Sequence, residues 1–318
     1  MESRHKQMLV LTIIFSIIVV SIPASEASGH PESRYFYSGD GIIDIISEKN
    51  RESFKGRYRG RDGSYDEKAL ERIYNVFGAR YGEPISEISP RLIEFLDFIA
   101  DSLCPEGQIE IISGWRSPEY NRKLKQKGRL AAKASLHQYG MAADLKIKGV
   151  SPKHIWNYVK DLDYGGTGYY HGELVHIDVG PARFWDEKTS GVDTGISDDN
   201  KLIGLMTDRD IYLPGEILTL RFIRMTAFPI GVSPEFILEH MEEDGHAQKI
   251  TTFKPLFAIE SIGPCPQFHD IGQMLGITWK LPQDLQAGHY QIRSSFCERQ
   301  WENMPQDITT PRFEILTP

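Results

Sequence analysis

The sequence predicts an α+β domain followed by an all-β sandwich, and three observations lead there. Between residues 66 and 162, amphipathic helical patterns alternate with short apolar strands. At 191–200 the composition shifts to glycine, aspartate and serine in GVDTGISDDN, a linker signature. Beyond it, short alternating strands with turn signals run to the terminal FEI, with no helical repeat. The chain has 318 residues and is 40% hydrophobic, enough to bury an ordinary core, and its length suggests two domains.

At the start, Arg4 and Lys6 precede the apolar run MLVLTIIFSIIVVSI (8–22) and the small-residue stretch PASEAS. This is the layout of a secretory signal peptide cut after Ala27. The run is shorter than the ~20 residues of a spanning helix, although an uncleaved anchor is the alternative reading. Removing 1–27 takes out Glu2, Glu26, Arg4 and Lys6, so the net charge of −8 is unchanged. An acidic exported chain lacks the clustered Lys and Arg that nucleic acid requires. The one basic cluster, GRYRGRDG (56–63), is broken by glycines and reads as a solvated loop.

In RYFYSGDGIIDIIS a turn leads into a short strand. Residues 66–82 read as a helix with Leu70, Ile73, Tyr74 and Phe77 on one face and Gly82 near its stop. Ser89 and Pro90 open a second helix, whose stripe of Leu92, Ile93, Leu96, Ile99 and Leu103 is core. A strand over 109–112 ends at Gly114, and Ser117–Pro118 begin another helix. MAADLKIK (141–148) alternates as a strand, with Leu145 and Ile147 opposite Asp144 and Lys146. Ser151 caps a helix over 151–162, the glycine-rich YGGTGYYHGE reads as a connection, and LVHIDVG is a strand. Later, LPGEILTLRF, ITWKLP and GHYQIRSSF alternate as strands. None of Cys104, Cys265 and Cys297 lies in a CxxC pair. In an oxidising compartment Cys265 and Cys297 can bridge, leaving Cys104 unpaired.

SLHQYGMAAD sets His137 and Asp144 on either side of Gly140, which on its own is the pattern of a hydrogen-bonded turn. LVHIDVG adds His176 and Asp178 on one strand face, with Val175 and Ile177 on the other. His137, Asp144 and His176 supply the two nitrogens and one oxygen of a catalytic zinc site with one open position. Gly140 lets the loop bring His137 back over the strands. Such a site activates a water, which needs a proton acceptor. Glu173 can sit at the mouth of the His176 strand, and His171 competes with it but reads more readily as a solvated loop histidine. Arg116, projecting from a strand end, suits a substrate carboxylate or an oxyanion, or else packs on Trp115 or Tyr120.

SGWRSPEYN, SLHQYGMAAD and GELVHIDVGPARFW, in this order, resemble the D-Ala-D-Ala carboxypeptidase and murein endopeptidase zinc peptidases of the hedgehog/DD-peptidase fold. Within that family the YcbK-like branch is most similar, over roughly residues 36–186. Ser135, His137, Gly140, Ala142 and Asp144 match its SxHxxGxAxD motif, and Trp115 replaces the tyrosine of its GYRS signature. The resemblance implies that His137, Asp144 and His176 bind Zn²⁺ and that Arg116 contacts a peptidoglycan stem peptide or cross-link. It places Glu173 in the general-base slot of several relatives, a slot the YcbK-like branch does not reliably fill. Asp178 and His171 are therefore rivals, and Asp178 also suits a partner for a ligand histidine.

These readings give a zinc peptidase domain at 30–190, a linker at 191–200 and a β-sandwich accessory domain at 201–318. The function expected is peptidoglycan hydrolysis in the periplasm or cell envelope. The competing reading is a catalytically inactive, zinc-containing module that binds murein or protein. The resemblance does not extend to residues 200–318, whose expected role is to bind a partner or the wall, or to pack against the cleft.

Overall fold

Helix α1 (Glu67–Phe77) begins where Asp66 accepts the amide protons of Lys68 and Ala69 through its carboxylate. It ends at Gly78, whose left-handed φ of +73° lets its amide reach the last-turn carbonyls, so the helix stops four residues before Gly82. Helix α2 (Pro90–Leu103) has Pro90 in its first turn, and Ser89 occupies the cap position without a side-chain bond. Helix α3 (Pro152–Leu162) is capped by Ser151, whose hydroxyl accepts the His154 amide at 3.3 Å. The computed structural model of the chain describes residues 33–120, 123, 135–172, 174–188, 199–257 and 263–317. The expected export signal, Glu173 and most of the expected linker lie outside them. The helix expected from Ser117 is described only over 118–120 and at 123. Among the described residues, no helix is long and apolar enough to cross a membrane.

Seven strands form the first sheet: β1 (Ile42–Ser47), β2 (Ser53–Arg57), β3 (Ile109–Ser113), β4 (Ala142–Ile147), β5 (Gly166–Tyr169), β6 (Val175–Asp178) and β7 (Arg183–Asp186). Their order is β2-β1-β3-β4-β6-β5-β7, antiparallel except for the β1/β3 and β5/β7 pairs. Ile43, Ile45, Ile109, Ile111, Ala143, Leu145, Ile147, Val175 and Ile177 are buried in one core with the apolar stripes of α1 and α2. Strand alternation then sends Asp144, His176 and Asp178 to the opposite face. The glycine-rich stretch expected to be a connection is in part β5. Its glycines lie where β6 and β7 side chains reach across, so the strand must be bare on that face.

Among the described residues, the C-terminal region holds ten strands: β8 (Gly204–Thr207), β9 (Ile211–Tyr212), β10 (Ile217–Ile223), β11 (Ile230–Met241), β12 (Ala247–Phe253), β13 (Gln267–Phe268), β14 (Ile277–Lys280), β15 (Gly288–Phe296), β16 (Asp307–Thr309) and β17 (Phe313–Ile315). One sheet runs β14-β10-β8, and the other runs β12-β11-β15-β17-β9 with β13 and β16 paired to it. Phe222 of the first sheet meets Phe236 and Phe296 of the second, and Phe253 stacks on Trp279 at 3.6 Å. Cys265 and Cys297 are disulfide-bonded, and Cys104 is free.

Helix α2 is buried on more than its apolar stripe. Arg91, Glu94 and Asp97 recur every third residue on a polar ridge, each at most 3% exposed. Arg91 pairs with Asp210 of the C-terminal region at 2.7 Å, and Asp210 also accepts from Tyr164 at 2.8 Å. Glu94 takes Arg59 at 2.7 Å and Tyr65 at 2.8 Å. Asp97 accepts from the Tyr58 hydroxyl at 2.9 Å and the Gly41 amide at 3.0 Å. The basic stretch expected to be a solvated loop is therefore half interior. Tyr58 and Arg59 are buried because the α2 carboxylates need partners.

Burial, with Asp101 and Asp40 nearby, pushes the Asp97 carboxyl up to about 8, against its Tyr58 and Gly41 hydrogen bonds. The folded chain thus keeps a proton that the unfolded chain loses near pH ~4. Stability is fully present below that pH and is lost as pH rises through about 8. Urea midpoints should fall between pH 5 and 9 more steeply for the native sequence than for Asp97→Asn, which cannot ionise. Parallel pH profiles would show that Asp97 does not titrate in this range.

Candidate metal centre

The β4/β6 register builds the centre. Asp144 pairs with His176 and Ala142 with Asp178 across the two strands. On the far side of β6, Gly168 pairs with His176 and Gly166 with Asp178, and β7 brings Trp185 opposite Gly168 and Arg183 opposite Gly166. Two rows therefore cross one face: Asp144, His176, Gly168, Trp185 and, one step along, Ala142, Asp178, Gly166, Arg183. The glycines leave room for long side chains to lean over them. A Cβ at Gly168 would stand 2.3 Å from the Trp185 ring, and one at Gly166 would stand 2.3 Å from Asp178 Oδ2. The Trp185 ring lies 5.0 Å from that of His176, and Arg183 reaches Asp178 Oδ2 at 2.6 Å.

His137 arrives from the 3-10 turn Leu136–Tyr139, closed by Gly140 at φ +61°. A Cβ at Gly140 would sit 1.9 Å from the Glu87 carbonyl, so conformation and space both require glycine. The His137 carbonyl accepts the Arg116 amide at 3.1 Å, tying the turn to the segment after β3.

Tautomers follow from the outer partners. His137 Nδ1 lies 2.8 Å from the Gly114 carbonyl, which only accepts, so Nδ1 bears the hydrogen and Nε2 the lone pair. His176 Nε2 lies 2.9 Å from Asp178 Oδ2, so its hydrogen sits there and Nδ1 is left for Asp144 Oδ1, also at 2.9 Å. His137 Nε2 reaches that same oxygen at 3.3 Å. Neutral imidazoles in this arrangement point two lone pairs at one anionic oxygen, and a cation among the three removes the conflict. Donors on a tetrahedral zinc with bonds of about 2.0–2.2 Å stand roughly 3.3 Å apart. The three residues offer donor atoms all within 4.8 Å of one another and fit a metal ion.

The charges balance locally. Burial pushes the Asp144 carboxyl up, but His137 and His176 together hold it well below the usual carboxylate range. Burial pulls His137 down in spite of Asp144. Burial also pulls on His176, yet its bonds to Asp144 and Asp178 raise it overall. Asp178, itself fully buried, is held below its ordinary value against that burial by Arg183, His176 and the Gly180 amide.

Arg116 is brought to the site. It gives its Nε hydrogen to Ser113 at 3.0 Å and an Nη2 hydrogen to Asp144 Oδ2 at 2.6 Å. Asp178 stands behind His176, its oxygens engaged by His176, Arg183 and Gly180, so it faces no open space. His171 is away from the donors, in an exposed loop, and pairs with Asp186 at 2.5 Å. Sequence reasoning missed Trp185, Arg183 and the two glycines. The alternation Gly166-x-Gly168, two residues apart, was the available signal for a strand with one bare face.

Asp144 and His176 on one sheet face and His137 on the turn beside it, with each imidazole oriented from behind, form a donor set of the kind that could hold a metal ion. Residues 41–185 match the family model described as "Peptidoglycan L,D-endopeptidase MepK". The peptidoglycan L,D-endopeptidase MepK of Escherichia coli strain K12 is 28% identical over 184 residues, covering 58% of this chain and 97% of that protein. A probable peptidoglycan L,D-endopeptidase MepK of Haemophilus influenzae is 38% identical over 118 residues, 36% of this chain and 63% of that protein. Residues 41–185 are thus similar in sequence to peptidoglycan L,D-endopeptidases. A solved structure of the bacterial superantigen toxic shock syndrome toxin-1 aligns over 36% of this chain and 99% of its own at 5% identity, with a TM-score of 0.24, too low to bear on the fold.

Gly168→Ala should force Trp185 off the His176 ring and destabilise the chain by ~1–3 kcal/mol, as overpacking does. Tryptophan fluorescence and urea unfolding read the two effects. An unchanged emission and midpoint would mean that the strand shifts to absorb the methyl group.

Proposed function

We propose that the chain is an exported, zinc-dependent peptidase that cuts peptidoglycan stem peptides or cross-links in the cell envelope. The observation that carries this reading is the convergence of His137, Asp144 and His176 on one point, within a region whose relatives are named L,D-endopeptidases. Those names make an L,D bond the first substrate to test. Domain limits of 30–190 and 201–318, with a hedgehog/DD-peptidase-like fold in the first and a sandwich in the second, complete the proposal. The layout of residues 1–27 supports export.

His137, Asp144 and His176 would hold the ion, which when bound supplies Lewis acidity toward a water and the scissile carbonyl. Asp178 and Gly114 fix the two imidazoles so that the inward nitrogens keep their lone pairs. Glu173 takes the proton from the attacking water and returns it to the leaving amine. Support for Glu173 over its rivals is physical: Asp178 is enclosed and fully engaged, and His171 is held by Asp186. A guanidinium carries five donors, and Ser113 and Asp144 engage two of those of Arg116. The others can meet a substrate carboxylate or the developing oxyanion.

Mass spectrometry of muropeptides after incubation with the purified chain should show cleaved stem peptides, and His137→Ala should abolish them together with stoichiometric zinc. Turnover should drop by about 10²–10⁴-fold in Glu173→Gln while zinc content stays at the native level. A native chain that holds zinc and releases no product would instead point to the binding module. Digestion of sacculi by His137→Ala would remove the zinc mechanism.

A further inference from the structure

The turn that carries His137 is held from outside its own sheet. Arg221, on β10 of the C-terminal region, donates through Nη1 to the Tyr139 carbonyl at 3.0 Å. Its other arm pairs with Glu87. The Glu87 carbonyl is the atom against which Gly140 packs, and the next residue but one, Ser89, donates its amide to the Gly140 carbonyl at 2.9 Å. At the other end of Tyr139, the hydroxyl accepts the Met225 amide at 3.1 Å, and the Arg224 amide is directed to it as well.

Arg224 adopts φ +59°, a conformation that is costly for a residue with a side chain. That bend turns the amides of 224 and 225 toward one buried hydroxyl. Tyr139, 4% exposed, is thus gripped at both its main chain and its ring tip, two residues after His137. Of these groups, Glu87 and Ser89 lie within the family match, whereas Arg221, Arg224 and Met225 lie beyond residue 185, where it ends.

We propose that the C-terminal region is a positioning element for the metal centre. Arg221 and the 224–225 amides hold the Leu136–Tyr139 turn so that His137 Nε2 stands opposite Asp144 Oδ1. Arg221 and Tyr139 are positioning residues, which touch neither the ion nor substrate. The inference rests on the zinc reading above, and it differs from simple adhesion between two domains in what it says about metal affinity. Groups that orient a ligand from behind commonly cost about 10–100-fold in affinity when removed. A contact that only fastens the two regions together would change unfolding and leave zinc binding alone.

The full chain provides the test, with zinc affinity measured by competition against a chelating dye. Arg221→Ala and Tyr139→Phe should each weaken zinc binding about 10-fold or more, and Arg221→Lys, which keeps one of the two contacts, should fall between them and the native chain. Glu216→Gln is the control, because it loosens the Arg34–Glu216 pair of the same seam without touching the turn. It should lower the melting temperature and leave the zinc affinity at the native value. Native zinc affinity in a folded Tyr139→Phe protein overturns the inference, as does a loss in Glu216→Gln equal to that in Arg221→Ala. Should Arg221→Ala fail to fold, Tyr139→Phe decides alone, since it removes a single hydroxyl. A native chain that binds no zinc overturns the zinc reading and this inference together, whereas intact native binding with unaffected variants overturns this inference alone.

Discussion

One largely buried carboxylate organises the centre. Asp144 is kept ionised in a place where burial alone would neutralise it, and a buried charge persists only if its neighbours compensate it. Arg116 occupies one of its oxygens, and both His137 and His176 address the other. Each neighbour is then held by something else: Arg116 by Ser113, His137 by the Gly114 carbonyl, His176 by Asp178, and Asp178 by Arg183. The demand for compensation thus spreads outward through β3, the His137 turn, β6 and β7. It fixes the arrangement of the open face as firmly as the apolar residues fix the other side of the sheet.

Packing of the bare strand β5 follows from the same demand. Arg183 can reach Asp178, and Trp185 can reach His176, only because the strand between them offers glycine at both crossing points. A strand chosen for propensity alone would carry β-branched residues there. Local stability is traded for access to the second row, as expected where sequence serves a site rather than a core.

The seam between the two regions uses charge in a similar way. The polar ridge of α2 sends Arg91 to Asp210, while Glu94 and Asp97 draw Arg59 and Tyr58 inward. Breaking one partner of such a buried pair leaves the other uncompensated, so Arg91–Asp210 defines how the regions meet even where it adds little net stability, while the Glu94 and Asp97 contacts fix α2 within its own region. The contacts of Arg221 and Met225 with Tyr139 belong to this seam and reach the metal turn. A region outside the residues of the peptidase family match thereby enters the neighbourhood of its site.

The sequence by itself determined the three helices α1–α3 and eight of the seventeen described strands, because their signals are local: the Asp66 and Ser151 caps, the Pro90 start, and the period-two alternation of 142–147 and 175–178. It also determined the chemistry of the candidate ligands, since alternation alone puts His176 and Asp178 on the face away from Val175 and Ile177. What lay between those signals was legible only in part. The strand at 166–169 reads as a loop because glycine weakens every local strand cue, and Tyr58 and Arg59 read as solvated because a basic cluster is polar wherever it stands. Tertiary structure decided these, through the register that sets Gly168 under Trp185 and through carboxylates on α2 that needed partners. It alone joined Arg221 to Tyr139 across 82 residues of chain, because a hydrogen bond between distant segments leaves no periodicity in either of them.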